Sequence, residues 1–128
     1  MKSLTTQWKF LTIVTAINVL VATGYAIAGI IAPQSILPVA VVSNNASFIF
    51  ALYAAARTIP LAIVVIYSIF TQNKKAILIL GVLAGFIQFT DGFIGIYQHD
   101  IMKSGGPFFL AFIQFSVLFW INKNDKNN

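Results

Sequence analysis

The chain has 128 residues, of which 59% are hydrophobic and only 9% charged, with a formal net charge of +5. A soluble domain carries about 25% charged residues, so this is a membrane composition, and the length suggests one domain, 1–128. There is no cysteine and a single histidine, which excludes a thiol redox centre and cysteine-ligated clusters, leaves no ordinary zinc site and implies no cofactor.

Met1–Gln7 is a short polar start carrying Lys2. Trp8–Ala32 is the first apolar segment, closed by Pro33. A signal peptide cleaved after Ala26-Ile27-Ala28 is the rival reading, but the apolar run is too long for one and continues past that site. Pro33–Ala46 reads as a loop from Pro33, Pro38 and the turn residues Ser43-Asn44-Asn45, with apolar Val39–Val42 expected in the membrane interface. Ser47–Phe70 is the second span, with Ser47 the expected N-cap, and Thr71–Lys75 a tight basic turn. Ala76–Tyr97 is the third span, and Gln98–Gly106 a polar loop holding His99, Asp100 and Lys103. The fourth segment, Pro107–Ile121, takes Pro at its first helical position and Asn122 at its end. It reaches only about 22 Å, short of a hydrocarbon core about 30 Å thick. Asp125–Asn128 is a polar tail.

These spans, 8–32, 47–70, 76–97 and 107–121, predict an all-α, integral membrane four-helix bundle. Lys2, Lys9, Lys74, Lys75, Lys123 and Lys126 fall on one side of it, and only Lys103, offset by Asp100, on the other. The positive-inside rule then makes both termini cytoplasmic. The same distribution is that of topology signals rather than of a basic groove, so nucleic acid is not an expected partner.

Arg57 lies near the middle of the second span. A guanidinium cannot shed its charge, and even lenient insertion scales assign about 3 kcal/mol to Arg at a helix centre. At about 100° per residue, Arg57 shares a face with Phe50, Tyr53, Ala54, Leu61 and Ser68, expected to point inward. On the third span Gly81, Gly85, Gln88, Gly92 and Gly95 form one line with Asp91 on its edge, opposite Leu83, Phe86, Phe89, Phe93 and Ile94. Thr15, Asn18, Ala22, Tyr25 and Gly29 share a face of the first span, and Gln114 opposes the Phe108/Phe112/Phe115/Phe119 stripe of the fourth. Every span thus carries a strong hydrogen-bonding side chain at depth. Pro60 also deprives the Ala56 carbonyl of its helical donor, one residue from Arg57.

Two readings follow. In one, Arg57 and Asp91 are a buried structural pair, which is weak evidence for stability because desolvation roughly cancels attraction. In the other, intramembrane ionisable groups mark a ligand site. Asn18, Gln88 and Gln114 exceed what one ion pair needs and favour the second, with Tyr53 and Tyr25 as further lining. His99 and Asp100 read as a solvated loop, and Trp8 and Trp120 as interfacial belt residues.

The order Arg57, Lys74-Lys75, Gly81/Gly85, Asp91 and His99 resembles the DoxX-like group of small four-helix bacterial membrane proteins. The resemblance covers the middle third strongly and the rest by layout. It implies a four-helix fold in the bacterial inner membrane. Some relatives are linked to quinone-coupled thiosulfate oxidation, an activity that the lack of cysteine here does not support.

The leading expectation is a binding or transport protein for a small amphiphile, quinone-like, lipid-like or anionic. It would be held by Arg57, Asp91, Asn18, Gln88, Gln114, Tyr53 and Tyr25 and reached from the outer leaflet. The alternative is an accessory subunit, docking as a homo-oligomer or on a larger membrane partner. A third is an isomerase-type enzyme using Asp91 as acid or base, disfavoured because no second titratable group lies at depth.

Overall fold

The computed structural model describes residues 5–125; Lys2 and Lys126, two of the topology signals, lie outside them. Among the described residues the chain is helical and without strands. The helices are α1 (Thr6–Ile31), α2 (Asn45–Phe70), α3 (Lys74–Tyr97) and α4 (Ile101–Asp125). All four are long and apolar enough to cross a membrane. The first three match the expected spans to within two residues at each end. The fourth does not: α4 begins six residues before Pro107 and runs past Asn122, so most of the expected loop Gln98–Gly106 is helix.

The chain divides into two compact units. The larger joins Met1–Asn18 to Val65–Asn128, and the smaller is Val19–Val64. The divisions fall inside α1 and α2.

In the larger unit, two turns set the helix order. After α2, the Asn73 amide bonds the Ser68 carbonyl (3.0 Å) and the Gln72 amide bonds the Ile69 carbonyl (3.1 Å), with Gln72 at φ 50. This is a Schellman end in which glutamine, not glycine, takes the left-handed position. The Asn73 side chain then accepts from the Ala76 amide and caps α3, so Lys74 and Lys75 open the helix rather than lie in the turn. After α3 the same device recurs. The Asp100 amide bonds the Gly95 carbonyl, the His99 amide bonds the Ile96 carbonyl, and His99 sits at φ 54. Asp100 at once caps α4, its Oδ1 accepting from the Met102 and Lys103 amides (3.0 and 3.1 Å).

Pro107 is tolerated inside α4, as proline is in membrane helices when the freed carbonyl finds other surroundings. That carbonyl belongs to Lys103, and it lies against Gly95 of α3, where a Cβ would overlap the backbone of Lys103 and Ser104. The same close approach continues along α3. A Cβ on Gly92 would stand 2.7 Å from the Phe108 ring, and one on Gly85 2.9 Å from that of Phe115. Gly81, Gly85, Gln88, Gly92 and Gly95 are all buried, as the helical pattern predicts. Lipid is as apolar as leucine, so helices here associate by backbone closeness rather than by burying greasy surface. Leu11, Ile77 and Ile121 close the core at the other end of the unit, with Trp8, Leu78, Val117 and Leu118 against them. Lys74 stands over the Trp8 ring at 5.3 Å.

The smaller unit runs from the second half of α1 through a 3-10 helix, Pro33–Ser35, into most of α2. The Gln34 side chain pins the connecting loop, donating to the Val41 carbonyl (2.7 Å) and accepting from the Ser43 amide (3.3 Å). Asn44, not Ser47, is the N-cap of α2. Its Oδ1 accepts from the Ser47 amide while Ser47 Oγ accepts from the Asn44 amide, both at 2.9 Å. This reciprocal pair is a capping box with Ser47 at its third helical position. Gly29 lets α1 approach Ala51, whose Cβ would be 3.3 Å from an added one. On α2 the buried positions are Ala55, Ala62, Val65 and Ser68, while Arg57 is exposed.

Candidate functional site

The strongest polar constellation lies in the larger unit. Asn18 Nδ2 donates to Gln114 Oε1 (2.7 Å), and Gln114 Nε2 donates to Thr15 Oγ1 (2.9 Å). Gln88 Nε2 donates to the Asn18 carbonyl (3.2 Å). The side chains come from α1, α3 and α4, and all are essentially out of contact with the surroundings, Gln114 at 0% and Asn18 at 1% exposure. Gly81 makes room for them: a Cβ there would meet Gln114 Nε2 at 2.8 Å and Thr15 Oγ1 at 3.1 Å. Three expected site residues, Asn18, Gln88 and Gln114, are thus brought together. Their donors are spent on one another, which is what lipid demands of buried amides. Thr15 is a fourth member that the sequence reading left out of the site, although it lies one turn before Asn18 on the same face. Asn18 Oδ1 is buried, and no described residue donates to it.

The second feature is an aromatic groove on the same unit. Phe89 of α3 and Phe108, Phe112, Phe115 and Phe119 of α4 line about 580 Å³, with Ala111 and Ser116 on its walls. The expected phenylalanine stripe is therefore split in function. Phe108 and Phe115 fold over Gly92 and Gly85, while Phe112 and Phe119 are exposed. Phe108 meets Phe89 and Phe93 edge-on at 5.8 and 5.3 Å, and these two pack edge-on at 5.2 Å. Such contacts fix the rings and make the groove a preformed surface. The groove walls carry one hydroxyl, Ser116, which is satisfied by the Phe112 carbonyl at 2.7 Å.

Asp91 is half-buried on α3, about 160° around the helix from Phe89 and so away from the groove. Arg57, Tyr53 and Tyr25 belong to the smaller unit, and all three are exposed. Of the face expected to point inward, Ser68 is buried and Leu61 half-buried, but Arg57, Phe50, Tyr53 and Ala54 are exposed. The reason is close packing: the narrow, alanine-bearing side of α2 is the one that lets another backbone approach. Tyr25 is exposed although the buried Asn18 and Gly29 lie one or two turns away on its side of α1.

The turn between α3 and α4 has a structural role. The Lys103 amide above all, then the Lys103 ammonium 3.5 Å away and the Met102 amide, hold the Asp100 carboxyl below its ordinary value against the opposing effect of desolvation. Among the described residues no group of three His, Cys, Asp or Glu side chains is placed to hold a metal.

No protein-family model matches the sequence, and neither a curated protein nor a solved structure does. The class is therefore set by the fold alone: an all-α chain with four helices long and apolar enough to cross a membrane.

Proposed function

We propose that this is a membrane protein that binds a small amphiphile by laying its apolar chain in the phenylalanine groove of the larger unit. The observation that carries the reading is the groove itself. At about 580 Å³ it falls within the usual range of ligand pockets, about 300–1,000 Å³. Three of its rings, Phe89, Phe108 and Phe115, are held by edge-on contacts, so a guest meets a surface that is partly ordered beforehand. Its chemistry selects a lipid-like or quinone-like molecule over an ion, because it offers no charge. The amide cluster of Thr15, Asn18, Gln88 and Gln114 then serves as the lock that holds α1, α3 and α4 in register behind the groove.

We also propose a bacterial inner-membrane location with both termini cytoplasmic. Lysine placement supports the orientation, and the resemblance to the DoxX-like group supports the location.

Native mass spectrometry in mild detergent tests the reading. A co-purified small molecule on the wild-type protein is expected to disappear in Ser116→Trp, which fills the groove from an exposed position, while the helical circular dichroism is unchanged. An adduct retained by Ser116→Trp, or none on the wild type, removes the groove as the site. A role as a subunit of a membrane assembly is the second reading, and the exposed Arg57 in the middle of α2 is what favours it.

A further inference from the structure

The smaller unit, Val19–Val64, contains one charged side chain, Arg57, and no carboxylate. Arg57 is exposed, midway along the 26-residue α2. At about 1.5 Å per residue it stands roughly 18 Å from either helix end, too deep for snorkelling alone to bring the guanidinium to the headgroups. Its face also carries the exposed rings of Phe50 and Tyr53 and the small, exposed Ala54. One residue away, Pro60 leaves the exposed Ala56 without its helical hydrogen-bond donor. The face therefore presents a cation to hydrocarbon, which does not satisfy it.

The counter-charge must come from outside this unit. The spans of the chain offer one carboxylate, Asp91, half-buried on α3. We infer that a second copy of this chain covers the Arg57 face, the guanidinium of each copy taking the Asp91 carboxylate of the other about a two-fold axis. Charge complementarity carries the choice: one cation and one anion per copy cancel in pairs, and an isologous contact makes both pairs at once. Guanidinium and carboxylate also match as a bidentate pair, the form suited to a dry site. Depth agrees in the proposed four-span topology. Asp91 lies about 9 Å before the end of α3 and Arg57 about 18 Å after the start of α2, and each Cβ leans toward its own helix N-terminus. The two side chains therefore lean toward each other's level, and an extended arginine spans the difference. Ala54 beside Arg57 gives the small side chain that close helix approach requires. This inference stands apart from the groove, which lies on other residues.

A complementation experiment in mild detergent tests it, using two differently tagged forms of the full chain and pull-down of one by the other. Wild type is expected to associate. Arg57→Gln with itself and Asp91→Asn with itself are each expected to lose association by tenfold or more. Arg57→Gln mixed with Asp91→Asn is expected to recover much of it, because one intact pair remains across that heterodimer. Ala54→Trp, which leaves both charges in place, is expected to block association by bulk while its helical circular dichroism persists. A mixture no better than either variant alone puts the pair within one copy and overturns the inference. So does a monomeric wild type, or a wild-type complex held only to a different protein.

Discussion

Two polar features sit in the helices of this chain, and they are treated in opposite ways. Around Gln114 in the larger unit, amides and a hydroxyl from α1, α3 and α4 are buried and bonded to one another. Around Arg57 in the smaller unit, the most polar side chain of all is exposed. A neutral amide network can be closed within one fold, because every donor can find an acceptor on a neighbouring helix. A lone guanidinium carries five donors and a charge, and its unit holds no carboxylate to meet them. The first feature is closed inside the fold except at Asn18 Oδ1 and acts as a lock. The second asks for something from outside.

The comparison breaks first at the glycines that let α3 and α4 of the larger unit approach closely. Gly95→Leu should destabilise the protein by about 3 kcal/mol or prevent folding, because the new side chain meets α4 backbone rather than a movable side chain. Gly24→Ala in the smaller unit, where nothing lies within 4 Å, should be neutral or stabilise by up to about 1 kcal/mol. Steric trapping or denaturation in detergent measures both, and equal effects would show that the close approach at Gly95 is not needed.

Next in size is the network itself. Gln114→Leu removes bonds to both Asn18 and Thr15 and leaves Asn18 Nδ2 buried without a partner, which should cost about 2 kcal/mol. Combining it with Asn18→Leu should cost less than the sum of the two single changes, since groups in one network couple. Strict additivity in the double-mutant cycle would mean that the amides do not act together.

Arg57→Gln should change the stability of the isolated folded chain by less than about 0.5 kcal/mol, as exposed positions do. A loss comparable to that of Gln114→Leu would show that Arg57 is bonded within its own copy and would erase the contrast between the two features.

The smallest expected effect is local. The Asp100 carboxyl is held below its ordinary value by the amides it caps, so its contribution is present above about pH 4 and is lost as pH falls through the lowered value. Amide exchange at Met102 and Lys103, corrected for intrinsic pH dependence, should therefore quicken below pH 4, while amides of the α3 core stay protected. Asp100→Ala should give that faster exchange at neutral pH.

The helices themselves and the buried line of α3 were legible, because both depend on local pattern. Apolar length defines a span, and Gly81, Gly85, Gln88, Gly92 and Gly95 repeat at helical spacing. The amide partners were legible as residues on shared faces, though not as bonded pairs. The start of α4 was misread because Gly105, Gly106 and Pro107 look like a helix breaker, whereas Asp100 is a sound N-cap six residues before Ile101–Gly106 ends. The α2 face was misread for a different reason. Polarity does not mark the inside there, whereas Ala51, Ala55, Thr58 and Ala62 repeat at spacings of four and three and mark the packing side. That small-residue repeat was the available signal.

The sequence by itself determined the membrane composition, the number and extent of most helices, and which side of α3 is narrow. Those are properties of single segments against a slab of hydrocarbon. Only the tertiary structure decided that Asn18, Thr15, Gln88 and Gln114 bond to one another, that Phe108 and Phe115 close over glycines, and that Arg57 is exposed. In lipid no hydrophobic force sorts one greasy face from another, so the choice falls to backbone closeness and hydrogen-bond pairing between segments far apart in the chain.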